Sequence, residues 1–470
     1  MKKTIITLLL AIVATVCGYA QQSAPVKPLK ELQQAFVDLR FGMFIHFNMP
    51  TFCPEDWPDP DASPALFNPV KLDCSQWAKA AKSAGMTYGC LTTKHHSGFC
   101  IWNTATTPYS VMSSPLKRDV VREFADAFRR EGLRVMLYYS ILDTHHRLRP
   151  HRITPEHVTM IKAQLAELLT GYGDIDALII DGWDAPWSRI SYTEIPFAEI
   201  YSFIKSLQPN CLVMDLNSAK YPADGLFYSD IKAYEQGAGQ KISKDANNLP
   251  AMSCLPLQPK WWFWKDYFPT TPELKSAETI VHENVDPMGK VFCNFMLNVA
   301  PNRDGLMDDN ALKRLKEIGK LYTKRGPVAK LGHYDDAILV PNLALGKPAE
   351  GTWCYDCQLF DFINDDNFKT EWYAHPSVKE PQVTISLGSE QQFNAIVITE
   401  AEDDCLDEYT LECRVNNKWK TVFAGKATTA KRVKMHRFDS VWADAVRITI
   451  KSYNTEYCGI AELGVYNERR

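Results

Sequence analysis

The sequence predicts an α/β chain in which an irregular (β/α)8-like barrel is followed by an antiparallel β-sandwich. Three observations predict it. From residue 40 to about 325, strand-length apolar runs alternate with helical patterns. The runs are apolar on both faces, as parallel strands covered by helices must be. After residue 342 helical periodicity gives way to short alternating runs separated by turn residues.

In chain order, the expected strands are FGMFIHF (41–47), YGCLTTKHH (88–96), RVMLYYS (134–140), ALIIDG (177–182), CLVMDLN (211–217), DIKAYE (230–235) and VFCNFMLNV (291–299). Helical patterns cover 74–83, 117–131, 157–172, 192–207, 272–283 and 309–323. So many strands over so long a stretch favour a closed barrel over an open sheet. The stretch 237–266 fits no regular unit, which makes the barrel irregular. Beyond Gly326 and Pro327, the runs VTISL (383–387), AIVITE (395–400), YTLECRV (409–415) and AVRITI (445–450) have the spacing of a sandwich. The expected division is a signal peptide over 1–20, a barrel over 21–335 and a sandwich over 336–470.

The first residues combine Lys2 and Lys3 with an apolar run over 5–16 and small residues at Gly18 and Ala20. That is the pattern of a cleaved secretory signal, too short to span a bilayer, and no later segment is apolar enough to do so. A periplasmic or secreted protein is expected; lipid anchoring through Cys17 is the lesser alternative, because Val16 fits poorly before it. A net charge of -4 over 470 residues gives no reason to expect nucleic acid or an anionic membrane as partner. The cysteines are too irregularly spaced for a disulfide scaffold, and Cys90, Cys211 and Cys293 sit in apolar runs as buried thiols would. Cys354 and Cys357 form a lone CxxC with no second pair at zinc spacing. No nucleophile-elbow, P-loop or dinucleotide motif stands in a strand–helix setting.

Polar groups collect at the strand ends, which in a barrel form one rim where active sites are built. Asp181 follows a buried run, a costly place for a carboxylate unless it is hydrogen-bonded or functional; a loop or helix-capping Asp is the bland reading. Glu235 ends its strand in the same way, although a lone Glu there is more often salt-bridged at the surface. Together the two could supply the attacking carboxylate and the proton-donating acid that glycosidic cleavage needs. His95 and His96 suit hydrogen bonds to sugar hydroxyls better than metal, since neighbours on a strand point to opposite faces. His46 alone reads as a core histidine. The run Asn364–Asn367 has no EF-hand spacing; a solvated turn is favoured over a structural calcium. No organic or redox cofactor and no catalytic metal is expected.

The segments RFGMFIHF, TTKHHSGFCIW, GLRVMLYYS, LIIDGW and NFMLNVAPNRDG resemble, in order, the α-L-fucosidases of glycoside hydrolase family twenty-nine over residues 30–330. The resemblance implies a retaining hydrolase acting on a fucosylated oligosaccharide or glycan, with Asp181 as nucleophile. The acid/base differs between branches of that family. DIKAYE matches one branch and implies Glu235; the segment matching the other reads Pro250, Ala251, Met252, and methionine cannot donate a proton. His46, His95 and His96 would contact fucose hydroxyls, and Trp57 with Glu55 or Asp56, Tyr139 and Trp102 would complete the pocket. An Arg that touches the sugar in some members is replaced here by Leu216 or Asn217. These departures leave two alternatives: an α-L-galactosidase, or a non-catalytic carbohydrate-binding protein. The C-terminal region resembles a discoidin-type, galactose-binding-like sandwich.

Overall fold

The computed structural model describes residues 25–244, 246–322, 328–354, 360–427, 429 and 431–468. The expected signal peptide with Cys17, the Gly326–Pro327 break and Cys357 lie outside the described residues.

Eight parallel strands form the first sheet: β1 (Phe41–Ile45), β2 (Tyr88–Lys94), β3 (Arg134–Ser140), β4 (Ala177–Asp181), β5 (Leu212–Asp215), β6 (Lys232–Glu235), β7 (Ala251–Pro256) and β8 (Cys293–Asn298). Their order, β5-β4-β3-β2-β1-β8-β7-β6, is that of a barrel closed everywhere except between β5 and β6. Across that seam the backbone is joined locally: the Asp230 amide donates to the Val213 carbonyl (2.8 Å), the Val213 amide to the Asp230 carboxylate (2.9 Å) and the Asp215 amide to Ser229 Oγ (3.2 Å). A helix not expected from the sequence, α1 (Leu29–Asp38), precedes β1 and packs Phe36 and Val37 against the barrel interior. Its Gln33 donates to the Asp230 carbonyl beside the seam (2.7 Å).

The helices follow the expected pattern where capping and periodicity agree. Helix α2 (Cys74–Ser83) starts at Asp73, whose carboxylate accepts the Ser75 and Gln76 amides. Asp119 caps α3 (Val120–Arg130), and a Thr154 capping box with Pro155 opens α4 (Pro155–Gly171). After α5 (Phe197–Leu207), the region expected as one helix at 272–283 is instead α6 (Ala277–Ile280), a wide π turn (Val281–Val285) and α7 (Asp286–Lys290); α8 (Asp309–Leu321) follows β8.

The strand missed in the sequence is β7, within the stretch read as irregular. Prolines at 250 and 256 bracket AMSCLP, which has no β-branched residue. It is a strand because all six residues are buried and it pairs with both β6 and β8. Tertiary pairing outweighs weak propensity here.

Alternation along each strand sorts the side chains. Phe44, Met136, Tyr138, Ile179, Ala233, Met252 and Cys254 fill the barrel interior, whereas Ile45, Leu137, Tyr139 and Ile180 face the helices. Asp181 shares the inward parity of Ile179, and Glu235 that of Ala233. Met252 is fully buried in the interior, away from the pocket lining.

The second sheet is antiparallel, in order β10 (Trp372–Tyr373), β15 (Gly459–Tyr466), β11 (Gln382–Glu400), β14 (Val433–Tyr453), β12 (Leu406–Val415), β13 (Lys418–Lys426), with β9 (Ala349–Gly351) on β11. Bulges after Ser386 and Phe393 let the long strands β11 and β14 serve both layers of a sandwich around a core that includes Trp372, Ile385, Tyr409 and Ile448. The sandwich rests on the β5–β6 loop: Phe368 lies edge-on to Tyr221 (5.4 Å between centroids), and the Val433 amide donates to Asp224 (3.1 Å).

Candidate active site

A cavity of about 290 Å³, at the small end of ligand pockets, opens at the C-terminal rim of the barrel. Asp181, Glu235, His46, His95, His96 and Trp57 all line it, together with Asp56, Trp187 and Trp262. Five separate strands, β1, β2, β4, β6 and β7, and the loops after them therefore converge on one hollow.

Asp181 ends β4 and is 5 % exposed. Tyr138 Oη donates to one carboxylate oxygen (2.6 Å) and Asn217 Nδ2 to the other (3.0 Å). Burial pushes its pKa up from the ordinary value, while Tyr138, Asn217 and the Gly182 amide pull it down. Glu235 ends β6, opposite Cys254 of β7, and Trp262 beside it favours its ionised form. Burial, and next the negative charge of Asp181, push the Glu235 pKa up to about 8. At neutral pH Glu235 therefore carries its proton, held in part by the charge of Asp181. Asp215, at the end of β5, is fully buried, accepts from Tyr192 Oη (2.6 Å), and is also raised, to about 7, chiefly by burial.

The three histidines are neutral: burial lowers His46 and His96 to about 3 and His95 well below its ordinary value. His46 Nδ1 is 2.8 Å from Asn298 Oδ1, and Asn298 Nδ2 donates to the Trp262 carbonyl (2.8 Å), so one amide joins the His46 ring to the backbone of the loop that carries Trp262. His96 Nδ1 is 2.8 Å from Ser140 Oγ, and its Nε2 lies 3.7 Å from Asp181 Oδ2. The expectation that His95 and His96 point to opposite faces does not hold. Strand β2 ends at Lys94, and the turn closed by the Gly98 amide on the His95 carbonyl (2.9 Å) brings both rings into the cavity, 3.9 Å apart. His95 Nδ1 is buried with no hydrogen-bond partner among the described residues.

Three expected pocket residues stand elsewhere. Tyr139 has the outward parity of Leu137, and its hydroxyl donates to Gln164 of α4 (2.6 Å). Its neighbour Tyr138 is the one that points inward, behind the cavity wall, and holds Asp181. Trp102 is buried outside the barrel, its indole donating to Glu167 (2.8 Å). Glu55 is exposed, and Asp56 lines the pocket in its place, paired with Lys265 (2.8 Å). Trp187, Trp262 and Phe263 were not singled out by sequence. They sit in loops, where no periodicity marks an inward face.

Among the described residues no three His, Cys, Asp or Glu side chains cluster as a metal site. In the acidic run of the sandwich, Asp365 accepts from Thr370 Oγ1 (2.8 Å), Asn364 donates to the Ala344 and Lys347 carbonyls, and Asp366 pairs with Lys220 (2.6 Å).

Both parts of the chain are similar to known proteins. The F5/8 type C domain profile matches residues 351–463. "Alpha-L-fucosidase 1" of Arabidopsis thaliana is 32% identical over 317 residues, covering 63% of this chain and 61% of that protein. "Tissue alpha-L-fucosidase" of Mus musculus is 24% identical over 343 residues, covering 64% and 71%. The chain thus spans less than two thirds of the Arabidopsis relative. Among solved structures, a glycoside hydrolase 29 family member from an unknown rumen bacterium superposes with a TM-score of 0.53 at 25% identity, over 95% of this chain and 78% of that one. The alpha-L-fucosidase isoenzyme 1 from Paenibacillus thiaminolyticus shares the fold, with a TM-score of 0.52 at 22% identity over 91% of this chain and all of that one. The alpha-L-fucosidase profile matches residues 55–327, more than half of the sequence and all of the cavity lining except Phe44 and His46, and the chain belongs to the alpha-L-fucosidase family.

Proposed function

We propose that this protein is a retaining exo-glycoside hydrolase that releases terminal α-L-fucose from fucosylated oligosaccharides or glycans, working in the periplasm or outside the cell. The observation that carries the reading is the pair of carboxylates in one small cavity with opposed environments. Asp181 accepts two side-chain hydrogen bonds, and Glu235 is held protonated by burial and by Asp181 itself. Pairs of titratable groups pushed apart in this way divide into ionised and protonated partners.

In the proposed reaction Asp181 attacks the anomeric carbon as the bond to the leaving oxygen breaks, and Glu235 gives its proton to that oxygen. Glu235, now ionised, takes a proton from water, which attacks the glycosyl-enzyme on the opposite face and frees Asp181, with net retention. The neutral histidines offer hydrogen bonds to hydroxyls without adding charge. Apolar walls from Phe44, Leu216, Trp262 and Phe263 suit a methyl group rather than a hydroxymethyl, which favours L-fucose over L-galactose.

The test is turnover of an aryl α-L-fucoside with NMR detection of the first anomer released. Asp181→Asn should abolish turnover while the protein stays folded; near-normal rates would remove Asp181 from the reaction. Glu235→Ala should slow poor leaving groups far more than activated ones and be partly rescued by azide. Equal losses on both would argue against the acid role.

A further inference from the structure

The loops that orient Asp181 are themselves held from the second domain. Asn217, which donates to Asp181, opens the short turn Ser218–Lys220, and Lys220 reaches back to Asp184, three residues beyond Asp181. The same ammonium also pairs with Asp366 of the sandwich, 2.6 Å away. One cation therefore ties the loop after β4, the loop after β5 and the C-terminal domain together. All three side chains are about two-thirds to three-quarters shielded, so the pairing is weakly screened compared with a surface bridge.

Each end of this tie is built. The loop after β4 folds back on itself: the Asp184 amide donates to the Ile190 carbonyl (2.8 Å), Ser188 Oγ donates to the Gly182 carbonyl, and Asp184 adopts a left-handed φ of 45°. The loop's tip carries Trp187, which lines the cavity and lies 4.3 Å from the His96 ring. On the sandwich side Asp366 has a left-handed φ of 58°, and its amide donates to Glu462 of β15 (3.1 Å). Glu462 in turn accepts from Asn342 (3.1 Å). The Asp366 carboxylate is thus presented by a turn that is anchored to a strand of the sandwich core.

We propose that Asp366 is a positioning residue for the reaction, and that the C-terminal sandwich acts on the barrel as a clamp: through Lys220 it fixes Asp184 and Asn217, and with them the direction of the Asp181 carboxylate. This rests on the fucosidase reading above and gives the sandwich a task that needs no sugar to bind to it. Small displacements of a nucleophile are costly to rate, about a hundredfold for a misplacement of 1 Å.

The full chain carrying Asp366→Asn isolates the charge, because asparagine tolerates the left-handed backbone. The expected result is a kcat/KM lowered by about tenfold or more on aryl α-L-fucosides. The loss should be equal for good and poor leaving groups, since attack and not proton donation is misaligned. Tm should move by only about a degree or two, as a half-buried ion pair contributes little to stability. Lys220→Met should give a similar loss, and Asp366→Asn combined with Lys220→Met no more than either alone. Asp365→Asn, beside it on the same turn, should be as active as the wild type. Wild-type kcat/KM in Asp366→Asn, a loss confined to poor leaving groups, or losses that multiply in the double variant would overturn the clamp. If Asp366→Asn fails to fold, Lys220→Met reads the same clamp from the barrel side, and wild-type kcat/KM there refutes it. Turnover surviving Asp181→Asn would instead defeat the hydrolase reading, whatever Asp366 does.

Discussion

Replacing Tyr138 by Phe removes one hydroxyl and leaves the ring, and it acts on one oxygen of Asp181. That hydroxyl donates at 2.6 Å to a carboxylate that is almost wholly buried, and Tyr138 stays protonated because its own pKa is pushed well up by burial. A hydrogen bond to a charged group contributes about 1.5–3 kcal/mol. Losing it disfavours the ionised form of Asp181 by about tenfold to a hundredfold in the proton equilibrium. Asp181 is already raised by burial, so the change adds in the same direction. In kcat/KM against pH for an aryl α-L-fucoside with a poor leaving group, which needs both carboxyl groups, the acidic limb should therefore move up by about one to two pH units. The basic limb, set by Glu235 near pH 8, should stay within a few tenths of a unit. An acidic limb that does not move in a correctly folded Tyr138→Phe variant would show that Asp181 ionisation does not govern the reaction.

Three other outcomes follow from the same geometry. Asp181→Asn removes one of the two causes that raise Glu235, so the Glu235 pKa should fall below about 8 but stay above the ordinary value; an unmoved NMR titration would mean that the two carboxylates do not sense each other. Glu55→Gln should leave kcat/KM within about twofold, as expected of an exposed side chain, whereas Asp56→Asn, which breaks a largely shielded pair with Lys265 at the cavity wall, should cost about tenfold; the reverse ranking would return Glu55 to the pocket. Gly98 has a φ of 85°, and an added Cβ would lie 2.1 Å from Asp143, the partner of fully buried Lys94. Gly98→Ala should lower the free energy of unfolding in urea by about 3 kcal/mol or more, and a loss under about 1 kcal/mol would show that this turn is not locked.

Much of this was legible in the sequence, for physical reasons that particular residues show. Asp181 and Glu235 stood out because a carboxylate closing an apolar strand must be hydrogen-bonded, paired or used. Both lie in the cavity at the parity their strands dictate. Tyr139 was misplaced because two adjacent tyrosines are indistinguishable by type; counting from Asp181 along the paired strand, Ser140 opposite Asp181, would have put Tyr138 on the inward face with Met136. Strand β7 was hidden since its signal is pairing with β6 and β8, a long-range property no local window contains. Trp187 and Trp262 were invisible for the same reason: loops hold them, and loop conformation is decided by contacts such as Ser188 on Gly182 and Asn298 on Trp262.

The unpaired seam bears on how such a pocket can change over generations. Asp181 stands on one side of it and Glu235 on the other, so by the short way round, across β5 and β6, no continuous ladder of backbone bonds fixes the spacing between them. There it is set by one backbone bond, from Asp230 to Val213, and by a handful of side chains, Asp230, Ser229 and Gln33 among them. Substitutions at those few positions can widen or narrow the gap between the two acids while every neighbouring strand keeps its register. A barrel zipped shut at this point would have to shift half its strands to achieve the same adjustment.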